Sequence, residues 1–395
     1  MCIKCETLTA SEDVHTVGGD KYCLDCFAED YFVCDSCEDI TSRDYAYSDD
    51  ITDTEDTLCR MCYREREDEY NNENNYNEFP TRDYSTADHA QHQSTDAGKY
   101  VTSPRVFSAE VECYYPNRET LREVADALPD TIGISEDGSL SGGSGVEFQT
   151  PKLKGKAGED TILGLCKALN DNGFSIERSA GLHLHLDGAG LMPKTRTTHY
   201  PTAIVALWTF YLVFEDVFLS FLPPSRRRNQ YCTLIKSQFH AKEIQTCRTL
   251  VELEKLWYRT ANRNDIKNRK GNKYDSSRYV GINLHSLFSN NHLEVRYHSG
   301  TLNAGKILEW VNLHQTVLDK AADGRLWGMP EVQSLPALAD KTALFFKVLE
   351  LPDRAEKYFR DRQAMFSNIE QDANESALVT MPALSDIAPE EPANA

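Results

Sequence analysis

At 395 residues the chain has room for two or three domains and a large core, and its 10% aromatic content is that of a globular protein. Its net charge of −20 argues against broad binding to nucleic acid or to anionic membranes. No basic, apolar leader opens it, and its longest apolar run, Pro201 to Phe214, is too short to span a bilayer, so a cytoplasmic location is expected.

Residues 1–63 are expected to form a metal-stapled module. Eight of the twelve cysteines lie there as four CxxC pairs: Cys2/Cys5, Cys23/Cys26, Cys34/Cys37 and Cys59/Cys62. Spaced cysteines in a reducing compartment mean metal more often than disulfide. Each knuckle supplies two thiolates of a tetrahedron, and two knuckles complete a four-thiolate shell around Zn²⁺. The gaps of 17, 7 and 21 residues favour sequential pairing: Cys2, Cys5, Cys23 and Cys26 around one ion, Cys34, Cys37, Cys59 and Cys62 around the other. Few apolar residues fill the segment, so about two structural zinc ions must hold it together. Residues 1–78 carry 6 Lys/Arg against 22 Asp/Glu, which suits docking of a protein or peptide and disfavours nucleic acid. With Tyr22-Cys23-Leu24-Asp25-Cys26 closing the first unit, the repeat resembles tandem treble-clef or LIM-like fingers, though the spacer of LIM fingers is much shorter.

Residues 64–103 read as a disordered linker. Arg64 to Asn77 is dense in Glu, Asn and Tyr, and His89 and His92 sit in a solvated tract.

Residues 104–330 read as the catalytic domain. Phe107 to Glu112 alternates as a strand does, placing Glu110 and Glu112 on one face. Arg118 to Leu128 has helical spacing. Ile134 to Leu140 is a turn presenting an acid, and the glycine-rich Ser141 to Gly145 reads as a flexible loop without the spacing of a phosphate-binding motif. Val146 to Pro151 is a short strand with Glu147 outward. Glu159 to Asn172 is an amphipathic helix in which Cys166 belongs to the core. Gly181-Leu182-His183-Leu184-His185-Leu186-Asp187 puts His183 and His185 on one face and three leucines on the other. A single aromatic helix is expected from Ala203 to Leu222, ending at Pro223-Pro224. Ser225 to Cys232 holds an arginine triplet able to grip phosphate or carboxylate. Ile244 to Arg259 is expected to be helical, Asn262 to Lys273 mobile and basic, and Arg278 to Leu284 a strand. Leu293 to His298 is expected to place Glu294, Arg296 and His298 on one face, and Leu302 to Ala321 to form a helix. Converging carboxylates and imidazoles suit Mg²⁺ or Mn²⁺, and an arginine beside them suits phosphate.

Seven pieces, in one order, are similar to the amidoligase family of carboxylate–amine ligases, relatives of glutamine synthetase and glutamate–cysteine ligase. They are Ala109-Glu110-Val111-Glu112; Glu136 to Leu140; Gly145 to Pro151; Gly181 to His185; Ser225-Arg226-Arg227 with Asn229 and Tyr231; Arg278 with Asn283-Leu284; and Leu293-Glu294-Val295-Arg296 running into Ser299 to Leu302. The resemblance implies an α+β fold whose curved antiparallel sheet, of glutamine synthetase type with packed helices, binds ATP and metal on its concave face. It implies Mg²⁺ ligands at Glu110, Glu112, Glu147, His183 or His185, and Glu294. It implies Arg296 at phosphate, with Arg226, Arg278 and Asn283 as further cofactor contacts. ATP would convert a carboxylate donor to an acyl phosphate, and an amine acceptor would displace phosphate to give an amide or isopeptide bond. The role of Gln149 is left open.

Residues 331–370 are expected to be a helical extension, with helices from Leu335 to Leu351 and Asp353 to Ile369, and residues 371–395 a disordered tail. Two other readings stand beside the ligase. One is a metallohydrolase built on the His183/His185 pair, which would need His285 or His298 as further ligands. The other is a non-enzymatic zinc adaptor carrying a degenerate ligase domain.

Overall fold

The structure, a computed structural model, describes residues 1–8, 10, 13–49, 54–73, 79–82, 96–137, 140, 143–227, 232–326 and 337–374. Contacts divide the chain into two units, Met1–Phe79 and Pro80–Ala395.

The first unit repeats one plan. A hairpin of β1 (Val14–Val17) and β2 (Asp20–Cys23) turns at Gly18 and Gly19, both at positive φ where a side chain would strain. It feeds α1 (Leu24–Asp30), whose first turn carries Cys26. β3 (Tyr31–Val33) pairs with β4 (Ile40–Ser42), and β5 (Ala46–Ser48) pairs with β6 (Thr57–Cys59). α2 (Arg60–Glu73) follows with Cys62 in its first turn. The apolar cluster of the second half is small: Phe32, Cys34, Leu58 and Cys62. Two of its four members are cysteines.

The expected linker is shorter than its composition indicated. α2 is helical through Glu73. Arg82 pairs with Ile134 through both backbone groups, and its guanidinium donates to the carbonyls of Ala125, Leu128 and Pro129. The backbone N–H groups of Lys99, Tyr100 and Val101 donate to the buried Glu159 carboxylate. A polar composition hides such docking because the contacts run through backbone atoms. His89 and His92 lie outside the described residues.

The second unit is α+β, built on a six-stranded antiparallel sheet. Its elements, in chain order, are β7 (Phe107–Tyr114), α3 (Arg118–Ala127), β8 (Gly133–Glu136), β9 (Gly145–Gln149), α4 (Gly155–Asp171), β10 (Gly181–Asp187), α5 (Thr202–Val213), α6 (Glu215–Ser220), α7 (Ala241–Thr246), α8 (Leu250–Tyr258), α9 (Arg263–Gly271), β11 (Ile282–Asn283), α10 (Leu284–Asn290), β12 (His292–Ser299), α11 (Ala304–Ala322), α12 (Leu338–Leu349) and α13 (Asp353–Asn374). The strand order is β11-β12-β10-β7-β9-β8. Leu182, Leu184 and Leu186 are wholly buried on one face, beneath which α11 packs against β10, α4 and α5. The opposite face carries the acids and imidazoles.

Several expectations change. The aromatic helix breaks at Phe214 into α5 and α6, and Glu215 at the break turns inward. The segment from Ile244 to Arg259 is two helices, α7 and α8, separated at Cys247–Thr249, and Asn262–Lys273 is helical as α9 because Asn262 caps it. The strand expected from Arg278 to Leu284 is reduced to Ile282–Asn283. α12 and α13 belong to the core of the unit: Phe345 packs on Phe210, Phe214, Phe218 and Phe221. α13 runs on to Asn374, and the rest of the expected tail lies outside the described residues.

Glu215 shows why the aromatic helix breaks. It is fully buried and accepts from the N–H groups of Ile235 (2.6 Å) and Lys236 (3.0 Å) and from the Tyr297 hydroxyl (2.6 Å). A single carboxylate thus ties the helical layer to β12. Glu215→Ala strands three donors, two of them buried, and equilibrium denaturation should report a loss of about 3–5 kcal/mol. A loss under about 1 kcal/mol would contradict this role.

Candidate active site on the polar face of the sheet

Strand register assembles the site. Across β7 and β10, His183 lies directly opposite Glu110. Across β7 and β9, Glu112 lies opposite Glu147 and Glu110 opposite Gln149. Across β10 and β12, His185 lies opposite Glu294, and across β11 and β12 Asn283 lies opposite Glu294. Period-two alternation therefore puts Glu110, Glu112, Glu147, His183, His185, Glu294 and Arg296 on one face.

The contacts are close. Glu110 meets His183 Nδ1 at 3.0 Å and His185 Nε2 at 2.9 Å, one oxygen to each ring. Glu112 accepts the Gly181 N–H at 2.6 Å and lies 3.5 Å from His183 Nε2. A Cβ on Gly181 would sit 3.2 Å from both Glu112 Oε2 and His183 Nε2, so only glycine lets the two approach freely here. Gln149 donates to Glu147, and Arg296 pairs with Glu294.

Three groups of ligand atoms lie within 4.8 Å of one another: Glu110/His185/Glu294, Glu110/Glu147/His183 and Glu112/Asp137/Glu147. Each imidazole thus has its own cluster, joined through Glu110. Mostly carboxylate donors fit a hard divalent cation. The charges register the crowding. Burial and the neighbouring Glu110 push Glu147 up to about 8. Burial opposes ionisation of Glu110 too, yet His185 and His183 outweigh it and hold that carboxyl well below the usual range. Burial opposes protonation of His185, but Glu110 outweighs it and raises the ring to about 9.

Two cavities open from this face and share Glu110 and Gln149. One, of about 620 Å³, is lined by Phe107, Ala109, Thr150, His185, Asn291 and His292 among others. The other, of about 520 Å³, is lined by Glu110, Glu112, Asp137 and Glu147 together with Arg226, Lys273, Tyr274, Arg278, Tyr279 and Arg296, among others. The Nε atoms of Arg278 and Arg296 are buried without a hydrogen-bond partner, as groups awaiting an anion would be.

Some expected residues fall elsewhere. Asn283 lines neither cavity. It is 1% exposed, caps α10 through Oδ1, and donates through Nδ2 to Ser286 and to Glu294 at 2.6 Å, so it orients Glu294. His298 does not share the face of Glu294 and Arg296. A bulge in β12 opposite His183 inserts one residue, and beyond it the alternation reverses. His298 is turned into the core against Trp310. His285 is also buried, bound to the Tyr258 hydroxyl at 2.7 Å. Neither histidine joins the His183/His185 pair; the histidine that does lie beside it is His292, at the start of β12, whose ring centroid is 5.0 Å from that of His185. Arg228, Asn229 and Tyr231 lie outside the described residues, as do Gly138, Ser139, Ser141 and Gly142.

Residues not assigned from sequence include Asp137, which the turn after β8 brings beside Glu112 and Glu147, and Ser286, which donates to Glu294 at 3.1 Å. The acid in a Glu-Asp-Gly turn was the signal for Asp137; Ser286 gave none. In the first unit the cysteines cluster sequentially, Cys2/Cys5/Cys23/Cys26 and Cys34/Cys37/Cys59/Cys62. Cys5 and Cys23 sulfurs are 3.7 Å apart, Cys37 and Cys59 3.9 Å. A tetrahedral ion with Zn–S bonds of about 2.3 Å has sulfur–sulfur edges of about 3.8 Å. The thiols of each cluster perturb one another: knuckle N–H groups, chiefly that of Cys5, draw Cys2 down to about 6, while burial and the neighbouring thiols push Cys26 well up.

Among the described residues no helix is long and apolar enough to cross a membrane. Comparison with curated proteins gives no match. One solved structure, described as "Crystal structure of novel glutamine synthase homolog", is similar at 12% identity and a TM-score of 0.35, covering 68% of this chain and 67% of that one. Residues 82–318 match the family model described as "Putative amidoligase enzyme". That segment is 237 of 395 residues and contains every acid, imidazole and arginine of the site, and the chain belongs to the amidoligase family.

Proposed function

We propose that the protein is an ATP- and Mg²⁺-dependent carboxylate–amine ligase that forms an amide or isopeptide bond through an acyl phosphate. The observation that carries this reading is the adjacency of three carboxylate-rich clusters and two guanidinium groups with unsatisfied donors on one sheet face. On this reading the sheet is a concave platform of glutamine synthetase type. The less charged cavity beside His185 takes the nucleoside, and the arginine-lined cavity takes the carboxylate donor.

Glu110, Glu112, Glu147, Asp137, Glu294, His183 and His185 would hold the divalent cations. Bound there, those cations supply neutralisation of the phosphate oxygens during transfer. The chain's own groups do the rest. Arg296, with Arg226 and Arg278, orients the donor and stabilises charge on the moving phosphoryl group. A donor carboxylate oxygen attacks the γ-phosphorus, and the bond to the β-phosphate oxygen breaks, leaving ADP. The amine nitrogen then attacks the acyl carbon, phosphate departs with the bonding electron pair, and the amine gives up a proton to solvent. The buried sheet face limits water, which would otherwise hydrolyse the acyl phosphate. The cysteine clusters, read as two structural zinc sites, fold a module that docks a protein or peptide partner.

Purified protein with Mg²⁺-ATP should release ADP and phosphate only when donor and amine are both present, and Glu110→Gln should lower the rate at least about a hundredfold, or ~2.7 kcal/mol. Amide hydrolysis without nucleotide would contradict the ligase. The acids also set a pH dependence. Glu147 carries a proton at pH 7 without metal, because its value lies near 8. His185, whose ring lies near 9, carries another, so Mg²⁺ binding at both groups displaces about two protons, and affinity rises as pH climbs through 8 and levels only above about 9. Calorimetry in buffers of different ionisation heat measures this, and pH-independent binding would contradict it. In the cysteine-rich unit, metal analysis should find two zinc ions per chain. A chelator should abolish amide protection in Met1–Phe79 and leave that of Pro80–Ala395. Zinc-free protein with unchanged protection would contradict the stapled module.

A further inference from the structure

The basic segment beside the arginine-lined cavity does more than the chemistry of transfer requires. Residues 1–78 carry most of the chain's net charge of −20, and the remainder is close to balanced. Residues 259–278 run the other way, with seven Lys/Arg against two Asp. Some of these cations are committed to the fold. Arg269 pairs with Asp275 at 2.8 Å, and Lys270 with Glu254 at 2.7 Å. Arg259 donates to the Gln238 carbonyl.

The other four face outward or into the cavity. Arg263 and Lys267, one turn apart on α9, are exposed and have no carboxylate partner among the described residues. Lys273 is exposed at the cavity mouth, and Arg278 stacks over the rings of Tyr274 and Tyr279, 5.3 and 5.0 Å from their centroids. Tyr274 is itself 64% exposed there. The Asp275–Arg269 pair anchors the turn that carries these groups, and Asp275 also accepts the Ser277 N–H at 3.0 Å.

A small carboxylate such as a free amino acid would be satisfied by the cavity floor, Arg226, Arg278 and Arg296. It would not reach along α9, whose nine residues extend about 13 Å. Exposed cations along that helix are open to a substrate that leaves the cavity and continues outside. An extended peptide advances about 3.3–3.6 Å per residue, so about four residues of it match the length of α9, which carries Lys267 and Arg263. Nucleotide phosphates do not account for the two helix cations, which lie beyond the cavity lining.

We propose that the carboxylate donor is an acidic polypeptide, with one carboxylate seated among Arg226, Arg278 and Arg296 and its neighbouring acids laid along α9. This rests on the ligase reading and names the substrate class of the same site. No covalent step is added to that reaction. The exposed rim supplies affinity and on-rate, and the floor supplies the reacting geometry.

The test uses full-length protein with Mg²⁺ and a non-hydrolysable ATP analogue. Anisotropy follows a fluorescent decapeptide of glutamates, a glutamine decapeptide and an oligothymidylate of equal charge, and free glutamate is titrated as competitor. The glutamate peptide should bind at least about tenfold more tightly than free glutamate or the glutamine peptide, and weaken with salt. The double variant Arg263→Glu/Lys267→Glu should lose about tenfold in peptide affinity while keeping wild-type affinity for free glutamate and for the ATP analogue. Both side chains are exposed, so the variant folds, and its unchanged nucleotide binding verifies that. Peptide binding no tighter than free glutamate, or equal in the variant, would overturn the proposal. Equally tight oligothymidylate would overturn the polypeptide assignment. If the analogue binds neither protein, the ligase reading fails and this inference falls with it. If the analogue binds and the peptide preference is absent, this inference alone fails.

Discussion

The structure depends on carboxylates held closer together than their own repulsion would allow. Glu110, Glu112, Glu147, Asp137 and Glu294 project from three strands and the turn after β8, with ligand atoms within 4.8 Å inside each cluster. Two unit charges 4 Å apart repel by about 4 kcal/mol at an effective dielectric of 20. Several such pairs would spread the sheet unless cations or protons offset them. In the chain alone the offset is partial: His183 and His185 serve Glu110, Arg296 serves Glu294, and Glu147 keeps a proton. Buried carboxylates this close, their repulsion only partly offset, mark the face as a candidate functional site.

The other side of the sheet makes that crowding sustainable. Leu182, Leu184 and Leu186 are sealed against the helical layer, and Glu215 pins that layer to β12 through Tyr297. Positions on the polar face are then fixed by strand register, not by side-chain preference. The β12 bulge refines this. It leaves Glu294 and Arg296 on the polar face and turns His298 into the core, so one inserted residue separates the two halves of the strand.

Much of this was legible in the sequence because period-two alternation is local. Glu110 with Glu112, and His183 with His185, declare a shared face from spacing alone. The sequential cysteine pairing was legible for the same reason, since a seven-residue gap leaves little chain between the second and third knuckles. What the sequence concealed is non-local. Nothing in Leu293 to His298 announces a bulge, because the extra residue is defined only against β10. Nothing marks Asn283 as a support for Glu294 until β11 and β12 pair. The break between α5 and α6 is set by where Glu215 finds its donors, at Ile235 and Lys236 along the chain and at Tyr297 on the sheet. The docking of residues 96–103 onto Glu159 runs through backbone N–H groups, which composition cannot display.

The two units use one principle at different scales. In the first, a small apolar core gathers eight cysteines into two clusters. In the second, a large core holds the carboxylates of the sheet face close together. Crystals grown with Mn²⁺ and a non-hydrolysable ATP analogue give the most direct measurement, through anomalous scattering. Peaks are expected at Glu110 with His185 and Glu294, and at Glu147 with Glu112 or His183, each touching phosphate oxygen. A nucleotide bound elsewhere, or a site face empty of manganese at saturating concentration, would contradict a cation-built active site.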